Sequence, residues 1–237
     1  MVLFGTIVNG ICIVIGSLIG LFMTKINDKY KETIIQGIGL TILLIGLQMA
    51  LQVNSIIIVL LSMLTGAIVG ELFRLEELLN RLGYWVSRRL TNKDDNINVS
   101  QAFVTASLLF VVGAMAILGA LDSGLRGDHE VLLTKSVLDG FTAFILTTTL
   151  GIGVILSVIP VVLFQGSIAL LASQIEKLIP EEVFNDLLVD ITAVGGLLIV
   201  AIGLNLLKLT QIRVTNLLPA IFMVVVFVYL NHMLFIN

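Results

Sequence analysis

Four side-chain amides stand in otherwise apolar stretches of the sequence: Asn9, Gln48, Gln165 and Asn205. A primary amide donates and accepts hydrogen bonds, so burying it in an apolar environment without a partner is costly. The partner is either a neighbouring helix, which is the commoner role of a single amide, or a ligand in a polar cavity. The four amides are therefore candidates for binding a substrate or an ion.

Three charged residues also lie at or inside apolar stretches. Lys135 and Asp139 are one helical turn apart in TKSVLDG, and Asp190 precedes Thr192 in LLVDITAVGG. Charged side chains within membrane spans commonly coordinate ions or carry protons. The alternatives are an ion pair at a helix end for Lys135 and Asp139, and an N-terminal interfacial position for Asp190.

Glycine and proline positions predict where helices break or come close together. Breaks are expected at Gly37, Gly39, Gly151, Gly153, Gly195, Gly196 and Pro219. A broken span frees backbone carbonyl and amide groups for a ligand. Two further pairs, Gly16 with Gly20 and Gly66 with Gly70, match the small-xxx-small pattern of helix packing.

The elements that hold these residues are predicted to be membrane-spanning helices. Of the 237 residues, 58% are apolar and only 12% are charged, whereas a soluble domain is about 25% charged. Runs of spanning length give eight candidates, at residues 2–23, 34–51, 55–69, 102–121, 137–158, 160–174, 187–207 and 214–235. The fifth and sixth are nearly continuous, which leaves seven crossings as the alternative. The predicted fold class is all-α, a polytopic membrane helix bundle, because backbone in lipid must satisfy its own hydrogen bonds.

The Lys and Arg residues are distributed unevenly between the predicted loops. With eight spans and the N-terminus outside, ten of the 13 Lys and Arg residues fall in inside loops. Cytoplasmic loops of membrane proteins carry this kind of excess. Both termini are therefore predicted to lie outside.

One stretch of the sequence is repeated. GLTILLIGLQ at Gly39–Gln48 matches GLLIVAIGLN at Gly196–Asn205, and Gly16-Ser17 in span one matches Gly166-Ser167 in span six. Spans one and six have opposite parity, so spans 1–3 and 6–8 are predicted to form an inverted repeat, a common plan of secondary transporters. Convergence of apolar helices with similar composition is the alternative.

One soluble-looking segment separates spans three and four. Leu72–Leu90 places leucines on one helical face and Arg and Glu on the other, so it is predicted to lie on the cytoplasmic membrane surface. A binding helix for a partner protein is the alternative. Thr91–Ser100 is a polar linker that is too short to separate domains, so residues 1–237 are predicted to form a single integral membrane domain.

Motifs of enzymes and of cofactor sites are not found. The sequence contains no HExxH, GxSxG or GxxxxGK[ST] motif. Its single cysteine, Cys12, and two distant histidines indicate no metal site, and no basic surface supports nucleic-acid binding. The chain is predicted not to be an enzyme and to need no cofactor.

Several blocks of the sequence together resemble a known family. They are GTIVNG (5–10), QGIGL and LIGL (within 36–47), ASLLFVVGAMAILGALDSGLRGD (106–128), TKSVLDG (134–140), FQGSIALLA (164–172), and VGGLLIVAIGLNLL with IRVTNLLPA (within 194–220). Nearly the whole chain, in family order, resembles the YdfK/YqgA family of bacterial membrane proteins, domain of unknown function family 554. The resemblance implies a polytopic protein of the bacterial cytoplasmic (inner) membrane, described as a candidate transporter. It transfers no substrate and no catalytic residue.

The leading functional hypothesis is a secondary transporter or ion-coupled carrier of a small solute. Its pathway is expected to be lined by Asp190, Thr192, Asn205, Gln48, Asn9, Gln165, Lys135 and Asp139, with the last two gating the outer mouth. The alternative is a non-transporting scaffold or sensor that acts through the 72–90 helix. The lipid bilayer and a small solute or monovalent ion are the expected partners, and small-residue helix faces predict a homo-oligomer.

Overall fold

Helices account for all the regular structure in the part of the chain that the computed structural model describes, which is residues 1–22, 28–78, 81, 96–112 and 114–235. The elements are α1 (Phe4–Phe22), α2 (Asp28–Ala50), α3 (Ile56–Phe73), α4 (Asn96–Val111), α5 (Ala114–Leu125), α6 (Glu130–Leu150), a 3₁₀ segment (Ile152–Ser157), α7 (Val158–Leu178), α8 (Glu181–Leu206), α9 (Val214–Leu217) and α10 (Ala220–Phe235).

Seven helical segments within the described residues are long and apolar enough to cross a membrane. An eighth is added when the pair Val99–Val111 and Met115–Leu125, bent by 57° at its break, counts as one span. The prediction of an all-α membrane bundle with about eight spans is confirmed.

The fifth span lies closer to the N-terminus than its predicted range of 137–158. Helix α6 ends at Leu150, and the φ of 84° at the next residue, Gly151, costs glycine little because it has no Cβ. The 3₁₀ segment after it leads directly into α7. Gly151 is therefore a break, as predicted. Pro219 is another, because α9 ends at Leu217 and α10 begins at Ala220.

The four breaks predicted in α2 and α8 are wrong. Helix α2 continues through Gly37 and Gly39, and α8 continues through Gly195 and Gly196. An unbroken helix keeps its backbone hydrogen bonds inside lipid, which a broken one does not. Two of these glycines are packing points instead: a Cβ added at Gly39 would lie 3.0 Å from Leu207 Cγ, and one at Gly196 would lie 2.7 Å from a backbone oxygen of α2.

The chain forms two compact units, of which the first comprises residues 1–35 and 80–178. It contains α1, α4, α5, α6, the 3₁₀ segment and α7. Helices α1 and α6 pack along their length in the same direction, from Gly5 against Leu132 to Gly20 against Thr147. Gly16, between them, lies directly against the backbone of α6. The absence of a side chain is what allows this approach.

Helix α1 carries its polar residues inside and its apolar residues outside. Thr6, Asn9 and Ser17 are almost completely buried. The exposed positions at helical spacing are apolar: Phe4, Ile7, Ile11, Ile15 and Leu18. This arrangement is the opposite of that in a soluble helix and is expected when lipid is the solvent.

The second unit comprises residues 36–79 and 179–237 and contains most of α2 together with α3, α8, α9 and α10. Its apolar core joins α3, α8 and α10 through side chains such as Val59, Val194 and Val224. Gly66 and Gly70 of α3 lie against Ala220 and Asn216. The packing role predicted for the small-xxx-small pairs is thus confirmed in both units.

Helices α2 and α8 of the second unit run antiparallel and meet at glycines, with Gly39 against Gly203 and Gly46 against Gly196. The contact positions are Gly39, Leu43, Gly46, Met49 and Ala50 on α2, and Gly196, Val200, Gly203, Leu206 and Leu207 on α8. When the match of Gly39–Gln48 with Gly196–Asn205 is extended by two residues, these two sets align position by position. Each helix therefore uses the same five repeat positions to contact the other.

Most of the predicted surface helix at 72–90 lies outside the described residues. Helix α3 ends at Phe73, and Arg74 follows with a φ of 49°. Helix α4 begins at Asn96, so the last five residues of the segment expected to be a linker, 91–100, are helical. The rest of that segment also lies outside the described residues.

Candidate functional site

Four of the eight candidate side chains meet in the first unit. Asn9 comes from α1, Lys135 and Asp139 from α6, and Gln165 from α7. We call these four residues the polar cluster. Its two amides and its two charges are separate candidates in the sequence, and the fold brings them together.

Hydrogen bonds link the polar cluster from end to end. Lys135 Nζ donates to Asp139 Oδ1 at 2.8 Å and lies 2.8 Å from Oδ2 as well. Asn9 Nδ2 donates to Asp139 Oδ2 at 3.0 Å and to Gln165 Oε1 at 3.3 Å. The Asp139 carboxylate thus accepts from an ammonium on its own helix and from an amide on a neighbouring one.

The polar cluster is almost completely withdrawn from the surface. Asn9 and Gln165 are 0% exposed, Asp139 is 6% exposed and Lys135 is 7% exposed. Two of its atoms, Asn9 Oδ1 and Gln165 Nε2, are buried and have no hydrogen-bond partner among the described residues. Such atoms are rare in proteins, where buried polar groups are nearly always paired. The cluster therefore contains one unpaired acceptor atom and one unpaired donor atom, next to an ion pair whose charges cancel.

Local sequence explains how the polar cluster is positioned. Lys135 and Asp139 are four residues apart, so they occupy one face of α6 and pair along it. Asn9 reaches that face because α1 approaches α6 closely where Gly16 meets the backbone of Gly140. Small residues in α1 thus bring an amide within reach of a carboxylate.

Further buried hydroxyl groups in the first unit also have no hydrogen-bond partner in the part of the chain that the structure describes. They are Thr6, Ser17, Thr105, Ser107 and Thr147. Ser17 and Thr147 stand eight residues after Asn9 and Asp139, which is close to two helical turns along α1 and α6. These hydroxyl groups are not candidates in the sequence, because a Ser or Thr hydroxyl within a helix can bond to a carbonyl of its own backbone. The eight-residue spacing on both helices is the signal that could have found them.

Asp190 and Thr192 lie in the second unit and make local contacts. Asp190 is 0% exposed, and its Oδ1 accepts from the backbone N–H groups of Asn54 at 3.1 Å and Ser55 at 3.2 Å. Those amides open the N-terminus of α3, where Ser55 is the cap residue. Thr192 Oγ1 donates to Leu188 O on its own helix. Asp190 is therefore placed to hold the turn that precedes α3, and no described residue forms a hydrogen bond with its Oδ2.

Asn205 and Gln48 are separated from one another by the antiparallel packing of α2 and α8. Asn205 Nδ2 donates to Ile212 O, and its Oδ1 accepts from Ile212 N and Thr210 Oγ1, all at 2.7–2.9 Å. It thus closes the turn after α8. Gln48 is exposed near the end of α2. Since both residues are near the C-terminal ends of antiparallel helices, they lie at opposite ends of the pair.

A second charged group lies at the C-terminal end of α3 and in the segments that follow α3 and α8. Arg213 forms an ion pair with Glu71 through two nitrogen–oxygen contacts of 3.1 and 2.9 Å, both residues being partly exposed. Burial raises the pKa of the Glu76 carboxyl above its ordinary value, with Arg213 opposing and Glu71 adding to the rise. The backbone N–H of Glu76 donates to Asn216 Oδ1 at 2.8 Å. These contacts fasten the chain after α3 to the start of α9.

Metal-ligand chemistry finds no support in the described residues, where no group of three or more His, Cys, Asp or Glu side chains is close enough to hold a metal ion. The chemistry available to the polar cluster is the binding of a proton or cation by Asp139 and hydrogen bonding by the two amides.

Comparison with known proteins places the chain in a family. Residues 4–229 match the family described as "Protein of unknown function (DUF554)". The chain is 33% identical over 235 residues to the "Uncharacterized membrane protein YdfK" of Bacillus subtilis, covering 97% of each chain. It is 29% identical over 221 residues to the "Uncharacterized protein YqgA" of Escherichia coli, covering 92% of each. No solved structure matches the chain. The resemblance seen in the sequence blocks is confirmed: the chain is a membrane protein and belongs to the DUF554 family.

Proposed function

We propose that this protein is a secondary transporter, an ion-coupled carrier of a small solute, and that the polar cluster of the first unit is its binding site. The observation that carries the proposal is the buried Lys135–Asp139 ion pair, which meets Asn9 and Gln165 while two amide atoms stay unpartnered. Ionisable residues inside membrane helices are costly, and they commonly mark ion and substrate pathways. A purely structural amide pair would satisfy its own donors and acceptors.

The proposed architecture is an inverted repeat of spans 1–3 and 6–8. It is supported by α2 and α8, which run antiparallel and contact each other through the same five repeat positions. A two-fold axis in the membrane plane exchanges equivalent helices and reverses their direction, so it produces this kind of contact. A repeat related by an axis along the membrane normal would leave α2 and α8 parallel.

The setting of the carrier follows from the charge distribution. We place it in the bacterial cytoplasmic membrane with both termini outside, because ten of its 13 Lys and Arg residues then face the cytoplasm. Its exposed apolar helix positions, such as Leu40 and Leu44 of α2, are suited to self-association within the membrane as a homo-oligomer.

Reconstituted protein tests the proposal. Proteoliposomes under an imposed pH or Na⁺ gradient are presented with panels of amino acids, carboxylic acids and sugars, and solute uptake and current are measured. We expect uptake to be lost in Asp139→Asn and Gln165→Leu. The matched control is Gln48→Leu, which removes an exposed amide of the same type and should keep uptake within about twofold, because surface substitutions have small effects. Equal uptake by all three variants would place the site elsewhere.

A further inference from the structure

The hydrogen bonds of the polar cluster also indicate which ion it binds. We propose that the coupling ion is a proton, that Asp139 accepts it, and that Asn9 and Gln165 relay its arrival from α6 to α7 by turning their amide groups. The coupling of this proton to transport rests on the proposed transport function, whereas the binding of a proton by Asp139 does not.

The surroundings of Asp139 disfavour a metal cation. Lys135 Nζ lies 2.8 Å from both carboxylate oxygens, and Asn9 Nδ2 lies 3.0 Å from Oδ2. Hydrogen-bond donors thus lie against both carboxylate oxygens, so a metal ion bound by both oxygens would have to displace at least one of these donors. A proton needs only one lone pair on Asp139 and one nearby acceptor to share it with.

That acceptor is already within the cluster. Asn9 Oδ1 is buried and unpartnered, and a 180° turn of the Asn9 amide exchanges its position with that of Nδ2. A proton transferred from hydronium to Asp139 Oδ2, with release of one water molecule, then gives an O–H that donates to Asn9 Oδ1. No covalent bond in the protein is broken, and the cluster gains one positive charge.

The same turn carries the signal to α7. After the turn, Asn9 Oδ1 occupies the former position of Nδ2 and faces Gln165 Oε1. Both oxygens are hydrogen-bond acceptors, so they repel each other. Gln165 relieves this by turning its own amide, so that its unpartnered Nε2 donates to Asn9 Oδ1. Asn9 Oδ1 and Gln165 Nε2, which lack partners before protonation, become paired after it, and Asn9 Nδ2 and Gln165 Oε1 lose theirs. The turn therefore exchanges one set of paired amide atoms for the other and leaves their number unchanged.

Protonation of Asp139 also removes the charge that pairs with Lys135. Lys135 is the sixth residue of α6, about 7.5 Å along the helix from its first residue. Its long side chain can therefore turn toward the membrane surface, as lysines near helix ends do. Proton binding thus releases a cation as well as turning two amides.

The other ionisable groups on the elements packed around Asp139 are Cys12 on α1, Asp122 on α5, Glu130 on α6, and Glu176 and Lys177 on α7, with His129 just before α6. The described residues of α4 and of the 3₁₀ segment include none. Lys135 is the ionisable group that is hydrogen-bonded to Asp139, so the relay depends on that pair.

Infrared difference spectra of the protein in liposomes test the proposal directly. As the pH is lowered, we expect a carboxylic-acid band that shifts on labelling with ¹³C-aspartate and is lost in Asp139→Asn. Bands of the Asn and Gln side-chain amides should change at the same pH. In Gln165→Leu the acid band should persist while the change in the Gln band is lost. At constant pH, replacing choline chloride with sodium chloride should change neither band.

Suppression of the acid band by sodium, or its absence at every pH in the labelled wild type, would overturn the proton assignment. An acid band without a coincident amide change would overturn the relay. These outcomes are independent of transport: a normal acid band in a protein that moves no solute contradicts the carrier and leaves the proton site standing. Peptide mapping after amine labelling gives a further check, because Lys135 should be modified several-fold faster in Asp139→Asn, in which the charge is permanently removed.

Discussion

At the scale of single residues, burying the charges of Lys135 and Asp139 costs free energy, and each charge compensates the other. Both side chains are less than 10% exposed and are 2.8 Å apart. Removing one partner leaves an uncompensated buried charge, which typically destabilises a protein by about 3–5 kcal/mol, whereas replacing both with apolar groups is often neutral.

We therefore predict that Lys135→Met lowers the free energy of unfolding by about 3–5 kcal/mol, as expected for a broken buried pair. The double variant Lys135→Met/Asp139→Leu should recover most of that loss. Denaturant unfolding in detergent micelles, arranged as a double-mutant cycle, measures the coupling. Strictly additive losses would mean that the two charges do not depend on one another.

The residue types of the candidate site could be predicted from the sequence, but their grouping could not. An amide or carboxylate in an apolar run can be recognised from the sequence alone, as Asn9, Asp139 and Gln165 show. Whether it meets a ligand or a backbone amide depends on the rotation of each helix about its axis. Asp190 and Asn205 were selected on the same grounds and instead hold turns next to helix ends.

At the scale of helices, glycines determine how closely neighbours approach. The sequence predicted both breaks and packing points at glycines, because the missing Cβ serves either purpose. Gly151 is a break and Gly196 is a packing point. The difference lies in what surrounds each glycine, and a single sequence does not contain that information.

Two glycines of α2 provide a matched pair of substitutions. A Cβ at Gly46 would lie 2.6 Å from Val200 N, whereas a Cβ at Gly37 would have no atom of the described residues within 4 Å. We predict that Gly46→Ala destabilises the protein by about 1–3 kcal/mol through overpacking. Gly37→Ala should be neutral or stabilise it by up to about 1 kcal/mol, through helix propensity. Thermal unfolding of both variants compares them, and equal effects would show that the α2–α8 contact is unimportant for stability.

At the scale of the whole molecule, helix directions bear on the number of crossings. Helices α1 and α6 run parallel within the first unit, and α2 and α8 run antiparallel within the second. In a chain that crosses the membrane at each span, α1 and α6 are parallel only when three crossings lie between them. Helices α2 and α8 are antiparallel only when four crossings lie between them. Both conditions require the bent pair Val99–Val111 and Met115–Leu125 to cross as one span, which gives eight crossings.

Eight crossings place both termini on the same side of the membrane, and this can be measured. In a Cys12→Ser background, single cysteines at residues 2 and 234 should react with a membrane-impermeant maleimide added outside intact cells. A cysteine at 209, in the turn after α8, should react only after permeabilisation, because that turn is cytoplasmic when ten of 13 Lys and Arg residues face inward.

If residues 2 and 234 react from opposite sides, the bent pair does not cross. Spans one and six would then run in the same direction, and the repeat could not be inverted. If both react only after permeabilisation, eight crossings stand and the orientation is reversed.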